Sequence, residues 1–125
     1  MTAITVLDIE SIEPMAEGGA NVRRFLNAAT VGARVVEGTA YRLTAGASLA
    51  PLLEAERHQL FYVTAGEPIA LYGGERHELA PGRGVYCEPG EPCGFENPSS
   101  GPASFYRFVI GAASAKRRPS TSCGL

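Results

Sequence analysis

Between Ala33 and Ile110 the chain runs in short stretches of aromatic and β-branched residues, each closed by glycine, proline or a polar cluster. A helix needs apolar positions three and four apart over ten or more residues, whereas a strand needs only a few alternating ones. The rhythm predicts strands over Ala33–Val36, Thr39–Leu43, Leu60–Thr64, Ile69–Tyr72, Glu75–Leu79, Gly84–Cys87 and Ser104–Ile110. Turns at 44–48, 65–68, 73–74, 81–84, 88–92 and 97–102 separate them. Gly73–Gly74 is a two-residue hairpin signal, because a primed turn wants positive φ at both central positions. Ile9 to Asn27 hints at helix, but Pro14 and Gly18–Gly19 interrupt it, which predicts an irregular N-terminal arm with at most one helical turn. From Ser114 onward there is little to bury, so a disordered tail is expected, with Lys116–Arg118 a solvated basic cluster. The segments are thus an arm over 1–30, a barrel over 31–112 and a tail over 113–125.

Composition narrows the class. The 125 residues suit one domain with one core. A hydrophobic fraction of 45% and a charged fraction of 19% describe an ordinary globular chain, neither disordered nor coiled-coil. No apolar run approaches the ~18 residues that cross a bilayer, and the start lacks a signal peptide's basic and apolar regions, so a cytoplasmic protein without membrane contact is expected. A net charge of −2 gives no positive field for nucleic acid. Cys87, Cys93 and Cys123 form no CxxC pair and fit neither a disulfide framework nor a zinc knuckle, so reduced thiols are expected. Lys116 is the only lysine among 11 basic residues, a bias that suggests a GC-rich, bacterial genome.

Seven or more short antiparallel strands call for a sandwich or a closed barrel, since closure removes exposed edges. The spacing of Gly46, Gln59 and Gly66, followed by Gly82, Gly90 and Asn97, resembles the two motifs of the cupin superfamily, G-x5-H-x-H-x(3,4)-E-x6-G and G-x5-P-x-G-x2-H-x3-N. Residues 67–81 between them give the short spacing of small microbial cupins. The resemblance implies an all-β, cupin-type jelly-roll β-barrel (a double-stranded β-helix), paired as a homodimer, with a divalent metal at its mouth on two or three histidines and a carboxylate or amide.

Here the sequence departs from the pattern. The first histidine pair falls on Leu52 and Glu54, or on Leu53 and Ala55 with the shorter gap; the glutamate falls on Gln59 and the later histidine on Cys93. Glu54, Gln59 and Cys93 would be a poor donor set for the iron, nickel, copper and zinc ions that imidazole usually holds. No metal and no other cofactor is therefore expected. His58 precedes Gln59 and turns to the opposite face if both share a strand; His77 lies among charged neighbours and reads as solvated.

The candidate catalytic residues are Cys93, at the motif histidine position, and Glu54, whose carboxyl could work near neutrality if desolvated. Each has a plainer reading: Cys93 as a small buried hydrophobe, Glu54 (like Glu56) as an ordinary loop carboxylate. Candidate substrate-binding residues are Gln59 by hydrogen bonding, Arg107 as a counter-ion, and Tyr41, Phe61, Tyr86 and Phe95 as lining, though aromatics in strands are more often core. Arg107 interrupts the apolar strand Phe105–Val109 and could face inward or sit at an interface. The leading expectation is a cupin that binds a small organic metabolite and acts as a metal-independent isomerase, cyclase or lyase. The alternatives are a non-catalytic sensing or assembly module, and a metal-dependent oxygenase or isomerase with a Glu/Gln/Cys shell.

Overall fold

In the computed structural model, residues 7–27 and 35–111 are described; the expected tail, with Lys116–Arg118 and Cys123, lies outside them. Among the described residues there are ten strands: β1 (Met15–Glu17), β2 (Ala20–Leu26), β3 (Val36–Leu43), β4 (Ser48–Leu52), β5 (His58–Ala65), β6 (Ile69–Tyr72), β7 (Glu75–Glu78), β8 (Gly84–Cys87), β9 (Cys93–Glu96) and β10 (Ala103–Ile110). They build two antiparallel sheets, one ordered β1-β2-β3-β10-β5-β8 and the other β4-β9-β6-β7. The expected β-barrel architecture is therefore present.

Most predicted elements recur, with revisions: of the strand expected over Ala33–Val36, residues 33–34 lie outside the described residues and Val36 is the first residue of β3. Thr39–Leu43 is the C-terminal part of a longer β3, and β4 and β9 appear within segments whose Pro51 and Gly94 mask a strand signature. The arm carries the expected single turn of 3-10 helix at Ile9–Ser11, but it continues as a β1–β2 hairpin. β2 pairs with β3 from Ala20↔Leu43 onward and buries Ala20, Val22 and Phe25. Gly18–Gly19, read from sequence as an interruption, is the hairpin turn that lets this strand form.

Gly46, Gly66, Gly82 and Gly90, the four motif glycines, all have positive φ. Gly66 shows why only glycine serves: at φ +78° a Cβ would also stand 2.6 Å from the Pro102 carbonyl oxygen. Gly73 and Gly74, at φ 63° and 75°, close the β6–β7 hairpin across the Tyr72↔Glu75 pair. Asn97 ends the second motif fully buried. Its Nδ2 donates to the carbonyls of Leu43, Thr44 and Gly101, and its Oδ1 accepts from the Ser99 amide and hydroxyl. This amide joins the ends of β3, β9 and the loop entering β10.

Inside, Phe61, Phe95, Phe105 and Tyr41 form a continuous aromatic pile. Phe95 stacks on Phe105 at 4.3 Å, Phe105 stacks on Tyr41 at 5.1 Å, and Phe61 tilts against Phe95 at 4.9 Å. Val22, Leu43, Val63 and Ala103 complete this core around them.

Candidate functional site

Alternation along β5 buries Gln59, Phe61 and Val63, and alternation along β10 buries Phe105 and Val109, which sets Arg107 on the same inward face. Arg107 stands opposite Thr39 of β3 and Phe61 of β5. The choice left open by sequence, inward or outward, thus falls inward. The guanidinium Nε donates to Gln59 Oε1 at 2.8 Å, and the same group hydrogen-bonds the Tyr41 phenol. Burial raises the pKa of that phenol, and Arg107 only partly offsets the effect. Among the described residues no carboxylate lies within ion-pair distance of Arg107.

Gln59 is wholly buried and ties the mouth loops together. Its Nε2 donates to the Leu52 carbonyl at 3.0 Å and to the Glu91 carbonyl at 3.3 Å. The Gly90 amide donates to the Glu54 carbonyl at 2.8 Å, so the loops before β5 and before β9 are joined directly as well. Of these groups, sequence reading singled out Gln59 and Glu54.

Cys93 faces inward at the start of β9, fully buried, and its thiol hydrogen-bonds that of Cys87 from the opposite sheet. Burial, reinforced by Cys87, pushes the Cys93 thiol up to about 12, and burial raises Cys87 as well. Both thiols are therefore protonated at neutral pH, and Cys93 is a poor base or nucleophile there. The sequence predicts Cys87 as a reduced thiol but not this thiol contact, although inward alternation from Val85 carries the signal.

Glu54 sits at the rim. Its carboxylate accepts from Arg57 Nε at 3.0 Å, and Arg57 also approaches Glu37 at 3.5 Å. The i,i+3 spacing of Glu54 and Arg57 was available in the sequence and was not used. Phe61, Phe95 and Tyr41 point inward as expected, but they are packed ring on ring. Tyr86 does not line the barrel. In the run Gly-Val-Tyr-Cys, Val85 and Cys87 take the inner positions, which turns Tyr86 outward with 56% of its surface exposed. There its hydroxyl meets His58 Nδ1 at 2.5 Å, with the two rings stacked. His58 thus takes the outer face, as alternation required. His77 stacks on Tyr72 and lies 3.8 Å from Glu75.

The donor set does not suit the metal implied by the motif. Gln59 Oε1 is occupied by a guanidinium, whose charge would repel a cation at that oxygen. The Glu54 carboxylate is committed to Arg57, and the Cys93 thiol resists ionisation. Among the described residues no three histidine, cysteine, aspartate or glutamate side chains come together as a metal-binding group.

Comparison with known proteins places this geometry. The fold matches a predicted oxalate decarboxylase from Thermotoga maritima with a TM-score of 0.77 at 16% identity, over 86% of this chain and 99% of that one. It matches a cupin 2 conserved barrel domain protein from Salinispora arenicola with a TM-score of 0.76 at 20% identity, over 93% and 96%. It also matches the polyketide cyclase RemF from Streptomyces resistomycificus with a TM-score of 0.73 at 20% identity, over 86% and 80%. No curated protein matches at a significant level. Likeness at such identities establishes fold alone. The family model described as "Cupin domain" matches residues 39–110, from the inward Thr39 to the end of β10, and this chain therefore belongs to the cupin family.

Proposed function

We propose that this cupin uses its barrel mouth to bind a small anionic organic molecule, held by Arg107, without a histidine-bound metal. The observation that carries the reading is a half-buried guanidinium, aimed inward, whose partners are a neutral amide and a neutral phenol. A cation drawn toward apolar walls with no counter-charge keeps an unmet demand for one. A carboxylate or phosphate satisfies that demand through the planar donor fork of arginine. Gln59 orients the fork by holding Nε and the Tyr41 phenol takes one terminal N–H, which leaves the remaining terminal donors for a ligand.

The chemistry open to such a site is proton transfer on a substrate anchored by its anionic group, giving isomerisation, cyclisation or elimination. Glu54 at the rim is the candidate base, and Cys93, kept protonated, supplies a neutral wall. The fold does not choose among reactions, since it is shared by a polyketide cyclase and a predicted oxalate decarboxylase. A second reading, a non-catalytic binding module, is supported by how fully the mouth groups engage one another: both Gln59 donors, the Glu54 carboxylate and the two thiols all have protein partners.

A thermal-shift and calorimetric survey of small carboxylates and inorganic phosphate, run on the wild type and on Arg107→Met, tests the binding. The expected result is stabilisation of the wild type by at least one anion class, lost in Arg107→Met. Equal binding by both proteins would reject Arg107 as the anchor. NMR of the bound anion over hours separates the two readings, because a converted product favours catalysis and unchanged ligand favours the binding module. A stoichiometric transition metal that co-purifies and whose chelation abolishes ligand binding would overturn the metal-free reading.

A further inference from the structure

A cavity of about 390 Å³ lies at the end of the barrel opposite the mouth, lined by Glu67, Ile69, Glu78, Leu79, Arg83 and Pro98 among others. Strand direction puts it there. β5 and β9 begin at the mouth with Gln59 and Cys93, and Glu67 and Pro98 follow their far ends; β8 finishes at the mouth with Cys87, and Arg83 precedes its start. Pockets that take small organic molecules begin at about 300 Å³, so the volume suits a metabolite. Its floor is apolar, since Ile69 and Leu79 are both buried.

The walls are tied down by backbone hydrogen bonds. The Gly82 amide donates to the Val63 carbonyl and the Val63 amide to the Arg83 carbonyl, both at 2.9 Å, which pins the Arg83 turn to β5. The Leu79 amide donates to the Pro68 carbonyl at 3.0 Å and joins the end of β7 to the turn that carries Glu67. Asn97 Oδ1 accepts from the Ser99 amide and holds the loop that carries Pro98. A cavity built this way loses little conformational freedom when it is filled.

Its charges are unsatisfied. Arg23, Arg24, Arg57 and Arg76 each have a carboxylate partner, whereas among the described residues Arg83 has none, although Glu67 and Glu78 border the same cavity. Those two carboxylates likewise meet no cation among the described residues. Two acids and one guanidinium thus ring an apolar floor beyond ion-pair distance of one another.

We infer that this cavity binds a free α-amino acid with an apolar side chain. Glu67 and Glu78 take its ammonium, Arg83 takes its carboxylate, and Ile69, Leu79 and Pro98 receive its side chain. A simple anion meets two repelling carboxylates, and a simple amine leaves the guanidinium unanswered; a zwitterion satisfies both signs. An apolar side chain gains by leaving water for such a floor. All three charged residues are exposed, so each contact is screened and the expected dissociation constant is on the order of 1 mM. The site is separate from the mouth and does not rest on the anion reading proposed for Arg107.

Two-dimensional amide NMR of the full chain, followed at Glu67, Ile69, Glu78 and Arg83 and titrated with L-leucine, tests the assignment. These amides should shift saturably. 3-Methylbutylamine, which lacks the carboxylate, and 4-methylpentanoate, which lacks the ammonium, should each bind there at least fivefold more weakly. Arg83→Gln should weaken leucine about fivefold and leave the amine unchanged, while Glu78→Gln should weaken leucine without weakening 4-methylpentanoate. Both side chains are exposed, so the far-ultraviolet spectra should stay those of the wild type; should Glu78→Gln fail to fold, Glu67→Gln gives the same reading. Arg107→Met should bind leucine at these amides as tightly as the wild type, whatever becomes of anion binding at the mouth. The inference fails if the four amides show no saturable shift up to about 20 mM leucine. It fails equally if both analogues bind there as tightly as leucine, if folded Arg83→Gln binds leucine unchanged, or if Arg107→Met abolishes the shifts.

Discussion

Two carboxamides lie wholly inside this barrel, and they do different work. Asn97 uses both ends of its amide on neutral partners, three carbonyls and one serine, all belonging to the loops it joins. Gln59 spends its two donors in the same way on Leu52 and Glu91, but its oxygen faces the charged Arg107. A neutral network closed on itself holds a scaffold together. A network that ends on a cation without a counter-ion holds a scaffold ready for something else.

The largest expected effect comes from breaking the closed network. Asn97→Ala strips three carbonyls and a serine of their partner inside the protein and should cost about 3 kcal/mol or more, read as a lowered urea midpoint. Gln59→Met should cost about 2 kcal/mol, because the loop carbonyls lie nearer water and Arg107 can turn toward solvent. A larger loss for Gln59→Met than for Asn97→Ala would reverse the comparison.

The thiols sharpen it further. An unfolded chain releases the Cys93 proton near the ordinary value of 9.0, whereas the folded chain keeps it to about 12. Between those values the folded state binds more protons, so stability is complete below about pH 9 and falls as pH rises toward 12. Cys93→Ala should make that decline shallower without abolishing it, since Cys87 and Tyr41 are raised as well. Denaturant titrations at pH 8, 9 and 10 would show the change in slope, and identical slopes in the two proteins would contradict it.

The smallest stability effect should belong to the residue with the largest functional one. Arg107→Met takes one hydrogen bond each from the neutral Gln59 amide and the neutral Tyr41 phenol but also removes a half-buried charge, so stability should stay within about 1 kcal/mol of wild type. Unfolding of Arg107→Met by more than about 3 kcal/mol would make Arg107 part of the scaffold and erase the contrast.

Glycine made most of the architecture legible in the sequence. A position that demands positive φ leaves a local mark, so the turns at Gly46, Gly66, Gly82 and Gly90 could be read one at a time. The direction of Arg107 left no such mark, because β10 is apolar on both faces and the pattern has no phase. Tyr86 was misplaced for a related reason, since a four-residue strand offers too few positions to set alternation. The candidate site was legible as a place, through Gln59 and Cys93 at their motif positions. Its chemistry was not, because the thiol pair and the Arg57 ion pair depend on which loops meet in space. β2 was hidden because its outer and mouth-side positions carry Arg23 and Arg24, which weaken the apolar signal of Ala20 and Val22.

β2 also bears on where this protein can be cut. The family match begins at Thr39, yet Ala20, Val22 and Phe25 are already buried before it, against β3, Tyr106 and Phe108. An expression fragment trimmed to the matched residues would bare one flank of β3 and the rings beneath Phe25. It would present a sticky new border in place of a finished one, and its failure in solution would say nothing about the activity of the intact chain.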